Sequence, residues 1–73
     1  MQDDIAPAVG SRVRQAMERA RVTQMHLAQE MDISQSQVSR RLRGEIAFNV
    51  VELDTVARLC GVTAASLMEE VAA

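Results

Sequence analysis

The sequence predicts an all-α protein, a compact five-helix bundle with a central helix-turn-helix, and three observations predict it. Phe48 is the single aromatic residue among 73. The β-branched residues do not alternate, and apolar positions recur at three- and four-residue spacing, the period of helices rather than strands. Capping residues and glycines then divide the chain into five helical lengths on tight connections, with no internal repeat or low-complexity tract between them.

The first helix is expected from Ile5 or Pro7 to Arg21. Pro7 suits a first turn, where its missing donor has no partner to lose. At 3.6 residues per turn, Ile5, Val9, Val13, Ala16, Met17 and Ala20 fall within an arc of roughly 120°. Arg12, Arg14, Gln15, Glu18, Arg19 and Arg21 fill the rest. Thr23 caps a second helix over Gln24 to Met31, with Leu27, Ala28 and Met31 facing inward. Asp32 and Ile33 break it. Ser34 caps a third helix, with Gln37 placed to complete a capping box, and Gly44 is placed to end it. A loop from Glu45 to Phe48 leads to Asn49, which with Glu52 makes a similar cap for a fourth helix reaching Cys60. Leu53, Val56, Ala57 and Cys60 share its inner face. Gly61 stops that helix, Thr63 caps the next, and Ala64 to about Val71 form a short fifth helix carrying Leu67 and Val71. One domain over residues 1–73, with flexible ends at 1–4 and 71–73, accommodates all five. A core of this size supplies only about 3–5 kcal/mol without staples.

The stretch from Gln24 to Gly44 carries the functional signal. Two short helices joined by about three to four residues, the first with a small residue facing the second, describe a helix-turn-helix, here near residues 23–43. Ala28 is the small residue, since a larger side chain would hold the axes apart. Leu27, Met31, Ile33 and Val38 supply the apolar contacts. One helix can then lie across a DNA backbone while the other enters the major groove with its N-terminal residues foremost.

On the third helix, Gln35, Ser36, Ser39, Arg40 and Arg43 occupy one side, opposite Val38 and Leu42. Gln35, Ser36, Ser39 and Arg40 are the expected base contacts. A glutamine bonds the N6 and N7 edge of adenine in two places. The serines are small enough to let the helix sit deep, and Arg40 and Arg43 reach guanine or the flanking phosphates. Any solvated helix face is polar. What separates this one is the coincidence of capping signals, Ala28, apolar spacing and Gln35 within about twenty residues.

Formal net charge is −2, which at first opposes a polyanionic partner, because nucleic-acid affinity rests on phosphate neutralisation. The distribution reverses that impression. Ser11 to Arg43 holds seven arginines against Glu18, Glu30 and Asp32, a net +4, while the remainder carries Arg58 against seven acids, a net −6. Such polarity can present a basic face to DNA. It places Arg41 and Arg43 among the expected phosphate contacts. All eight basic residues are arginine, a bias that a GC-rich genome also produces and that carries little weight.

Cys60 is the single cysteine, so no intramolecular disulfide forms; a buried core thiol in a reducing cytoplasm is expected. No apolar run approaches the roughly 20 residues of a membrane span, and Met1-Gln2-Asp3-Asp4 lacks the basic start of a signal peptide. The expected location is cytoplasmic.

The same stretch closely resembles the Cro and phage-repressor (XRE) type of helix-turn-helix domain, over about Val9 to Met68. The matching residues are Thr23-Gln24, Leu27-Ala28, the run Ile33 to Arg40, Gly44, Glu52-Leu53 and Gly61-Val62. The resemblance implies a lambda-repressor-like bundle in which Gln24 donates to a phosphate and braces Gln35, which reads adenine. It also implies DNA contacts from Ser36, Gln37, Ser39 and Arg40, and phosphate contacts from the loop around Phe48 and Asn49. Thr23, Gln24, Ser34, Gln37 and Asn49 thus join Arg41 and Arg43 as phosphate contacts. The partner implied is a double-stranded DNA operator, bound by one copy or by a homodimer.

Three departures from that pattern matter. Asp32 stands at a turn position commonly filled by glycine, and aspartate adopts positive φ more readily than most residues. Arg41 stands where the pattern often has a core aliphatic, and Leu42 where it often has glutamate, so Leu42 is expected to take the core role while Arg41 buries only its stem. The arginine that pairs with that glutamate in some relatives corresponds to Met17, and a Met17 to Leu42 contact is expected to replace the ion pair.

His26 has no second ligand at metal spacing and is expected to face solvent or a phosphate. Met17, Met25, Met31 and Met68 are expected as core or core-edge filler. No nucleophile, base and orienter set is present, and there is little room for a closed pocket of about 300–1,000 Å³. The expectation is a non-enzyme without cofactor or metal: a sequence-specific transcriptional regulator, which the resemblance alone implies to be a repressor or Cro-like protein of phage or prophage origin. Alternatives within DNA binding are an antitoxin or an excision-control protein, which genomic neighbours would discriminate. The alternative of another class is a protein-interaction module with Leu59, Leu67, Met68 and Val71 as its partner surface, favoured by the net acidity.

Overall fold

Helix ends in this chain are set by hydrogen bonds within a few residues. The computed structural model describes residues 2–72, with side chains from 5 to 68. It holds α1 (Gln2–Ala20), α2 (Gln24–Met31), α3 (Gln35–Leu42), α4 (Val50–Cys60) and α5 (Ala64–Ala72). The protein is all-α, with no strand among the described residues. The expected flexible ends at 1–4 and 71–73, and the expected inward placement of Val71, lie outside the described side chains.

Side-chain oxygens start α2 to α5. Thr23 Oγ1 accepts from the His26 N–H at 3.0 Å, Ser34 Oγ from Gln37 at 3.1 Å, and Thr63 Oγ1 from Ser66 at 3.1 Å. Asn49 and Glu52 form the full reciprocal box, at 2.7 and 3.0 Å. Only half of the expected Ser34–Gln37 box forms. The Gln37 carboxamide oxygen instead accepts from Arg41 Nη1 at 3.2 Å, because a charged donor one turn along outcompetes a neutral backbone amide.

Left-handed residues end α1 to α4: Arg21 (φ 58°), Asp32 (φ 56°), Gly44 (φ 81°) and Gly61 (φ 71°). At Asp32 the N–H donates to Gln29 O and that of Ile33 to Ala28 O. The same pattern runs from Gly44 to Arg41 O and from Glu45 to Arg40 O. These paired bonds satisfy carbonyls that a helix end leaves open.

The first helix differs from expectation at its start. It begins at Gln2, so Pro7 lies inside the helix rather than in its first turn, and the ladder loses the bond its amide would have made. Packing compensates there: the end of α3 turns directly beneath this segment, and a β-carbon at Gly44 would stand 2.5 Å from Pro7 N. Gly10 makes a similar close approach. A β-carbon on it would collide with the Leu42 carbonyl oxygen and lie 2.9 Å from that of Arg41. Two glycines therefore let α1 lie against the last turn of α3.

The core joins Val9, Val13, Ala16 and Met17 of α1, Leu27 and Ala28 of α2, Val38 and Leu42 of α3, Leu53, Val56 and Ala57 of α4, and Leu67 of α5. Leu42 takes the core role expected of it, buried in the same cluster as Met17. Ile5 and Ala20, at the ends of the expected stripe, are exposed. Met25 is 59% exposed and not core filler. It stands two residues from Leu27, about 200° around the helix. Met31 and Met68 pack at the core edge, and Cys60 is half-buried rather than buried, with desolvation pushing its thiol pKa up. Arg12 ties α1 to α5, its Nε and Nη2 donating to Ser66 O at 3.3 and 3.2 Å. The radius of gyration is 11.0 Å, matching the roughly 11 Å of a compact chain of this length. No helix among the described residues is long and apolar enough to cross a membrane.

Candidate nucleic-acid interface

Burial of Val38 and Leu42 fixes which side of α3 faces outward. With those two in the core, Gln35, Ser36, Arg40 and Arg43 are exposed and Ser39 is half-buried beside them. The four expected base contacts therefore share one accessible side. Gln35 and Ser36 lead it, at the end that follows the Asp32–Ser34 turn from α2.

The side chains of Gln35 and Ser36 make no hydrogen bond to any described residue, and neither does that of Gln24, so Gln24 and Gln35 are not joined as the resemblance implies. Ser39 Oγ accepts from Arg43 Nη1 at 2.6 Å. Arg43 Nε donates to Glu45 Oε2 at 2.6 Å, and Arg40 Nε lies 3.4 Å from Glu45 Oε1. Glu45 thus joins the two exposed arginines at the end of α3. The Arg43 hydrogen bond holds its carboxyl below the usual carboxylate range, and the Arg43 guanidinium is raised in return. This acid on the basic side escaped the sequence reading, which placed it in a connecting loop; its two-residue spacing from Arg43 was the available signal.

Arg41 is turned away from the exposed side that carries Arg40 and Arg43. Its Nε donates to Glu52 Oε1 at 3.2 Å, with both side chains only 14% exposed, and its Nη1 donates to the Gln37 carbonyl at 3.1 Å and to the Gln37 side chain. The stem is packed as expected, but the head is occupied inside the protein. The same Glu52 oxygen accepts from the Asn49 N–H, so one carboxylate links α3 to the start of α4. Gln37 is half-buried in this network, whereas Thr23, Ser34 and Asn49 are exposed with their side-chain oxygens engaged as caps.

Other features have simpler roles. His26 is exposed on α2, and no metal-holding group of three His, Cys, Asp or Glu occurs among the described residues. An apolar groove of about 650 Å³ lies between the start of α1 and the α3–α4 loop, with Ile5, Val9, Phe48, Val50 and Met68 among its lining. The groove is open to solvent and is not the closed pocket for which little room was expected. Leu67 is buried, 2% exposed, and so is lost to the partner surface considered for it.

No curated protein matches the chain. The model of the BetR domain, a helical domain with a DNA-binding regulatory role, matches residues 4–73. On that match, which takes in all five helices but the first residues of α1, the chain belongs to the BetR domain family.

Proposed function

We propose that this domain is a sequence-specific transcriptional regulator that enters the major groove of a DNA operator with α3, in the manner of Cro and the phage repressors. One observation carries the reading. The leading, exposed side of α3 presents Gln35, Ser36, Ser39 and Arg40 together, while Val38 and Leu42 anchor the helix in the core. Free amide and hydroxyl groups at the N-terminal end of such a helix suit base edges. Arg40 and Arg43 stand where the flanking phosphates would pass. Repression would follow from occupying an operator that overlaps a promoter, and the chemistry is binding without catalysis.

Titrating random duplex with the protein at increasing salt tests DNA binding, and selecting bound sequences from a random pool tests specificity. Expected are an affinity that falls steeply with salt and an enriched motif. A palindromic motif would identify a homodimer, since half-sites about 34–36 Å apart mirror two-fold symmetry. Absence of binding at low salt would overturn the reading in favour of a protein-interaction module, for which the apolar groove at Phe48 and Val50 is the specific observation.

A further inference from the structure

The end of α1 uses a residue that its backbone accommodates poorly. Arg21 is left-handed at φ 58°, its N–H donating to Glu18 O at 3.3 Å and that of Val22 to Met17 O at 2.9 Å. Glycine fills such a position at least cost, and the chain uses glycine at the matching ends of α3 and α4. Aspartate, at the end of α2, is among the residues that tolerate this conformation. Arginine has no such local excuse, so its side chain is the place to look for a compensating role.

That side chain is exposed and makes no hydrogen bond or ion pair with any described residue, and the same holds for Arg14, seven residues or about two turns before it. Both line a cleft of about 330 Å³ together with Glu18, Thr23, Gln24 and Leu42. The cleft joins the start of α2 to the last residue of α3, on the flank of the proposed groove helix. Glu18 is its one acid and forms no ion pair with Arg14, leaving the rim net positive. The other motif-side arginines are occupied: Arg40 and Arg43 by Glu45, and Arg41 by Glu52. A phosphate reaching Arg40 or Arg43 would share the guanidinium with a carboxylate, whereas at Arg14 and Arg21 there is none to share with.

We infer that Arg14 and Arg21 form a second phosphate-binding track, which holds the sugar-phosphate backbone of duplex DNA along the α1 flank of α3. The assignment rests on the DNA-binding reading above and adds two residues of α1 and its terminus to it. Arg19 supplies an internal control. It is exposed on the same helix but lines a different cleft, with Cys60 and Leu67, toward α5.

The test combines thermal melting with the salt dependence of random-duplex binding for the wild type, Arg14→Gln, Arg21→Gly and Arg19→Gln. Arg21→Gly should melt above the wild type, because it relieves the left-handed arginine, and yet bind DNA more weakly. Unfolding cannot produce that opposed pair of changes. Arg14→Gln and Arg21→Gly should each reduce the slope of log affinity against log salt by about one unit, and Arg19→Gln should leave it unchanged. Wild-type slopes in both Arg14→Gln and Arg21→Gly would overturn this track alone. A wild-type chain that binds no duplex would overturn the DNA reading and the track with it.

Discussion

Gln35 stands exposed at the first position of α3 with its carboxamide unengaged, so its donors and acceptor are all available to a base edge. Gln35→Ala should therefore cost roughly 1–3 kcal/mol on the selected operator and flatten the preference at one base position. Non-specific affinity should barely move; equal weakening on operator and random duplex would assign Gln35 to the backbone. Leu42 has the opposite role. It is 4% exposed, in one cluster with Met17. Leu42→Ala should destabilise the fold by about 2–5 kcal/mol, read as a lowered melting point or as loss of the folded state. An unchanged melting point would contradict the burial on which the orientation of α3 depends.

Between elements, the decisive contact is Glu52, whose Oε1 accepts from both Arg41 on α3 and the Asn49 N–H that opens α4. Removing it leaves Arg41 without its carboxylate in a largely covered position and takes away half of the α4 cap. Glu52→Ala should cost about 1.5–3 kcal/mol, the range for a hydrogen bond to a charged group, measured by denaturant or thermal unfolding. Arg41→Met separates structural from DNA roles at the same contact. If the guanidinium serves the α3–α4 junction, the variant keeps the wild-type salt slope; a loss of about one unit would return Arg41 to the phosphates.

Across the whole molecule, charge is divided by position. The basic part of the chain runs from Ser11 in α1 through α3, while Arg58 sits on α4 beside Asp54, 3.1 Å away, in the acidic part. Net charge alone would treat Arg43 and Arg58 as equivalent. If location in the fold governs, Arg43→Gln should weaken operator and random duplex alike and reduce the salt slope by about one unit, and Arg58→Gln should leave the slope unchanged. Equal reductions would mean that the acidic half also touches DNA.

The sequence by itself determined the limits of α2, α3 and α4 and the outward side of α3. Those features rest on contacts within about one helical turn: Thr23 to His26, Ser34 to Gln37, Asn49 to Glu52, and the left-handed ends at Asp32, Gly44 and Gly61. Residue spacing encodes such bonds directly. Only the tertiary structure decided that Gly10 must lack a β-carbon beneath the Leu42 carbonyl, that Arg41 has Glu52 as its partner, that Met25 faces outward, and that Arg14 and Arg21 share a cleft with Thr23 and Gln24. Each of the three pairings joins segments that are distant along the chain or meet across a turn, and Met25 is outward because α3 and α4 cover the side of α2 that carries Leu27 and Ala28. Which groups meet depends on how closely and at what angle the helices pack, and local periodicity carries no term for that.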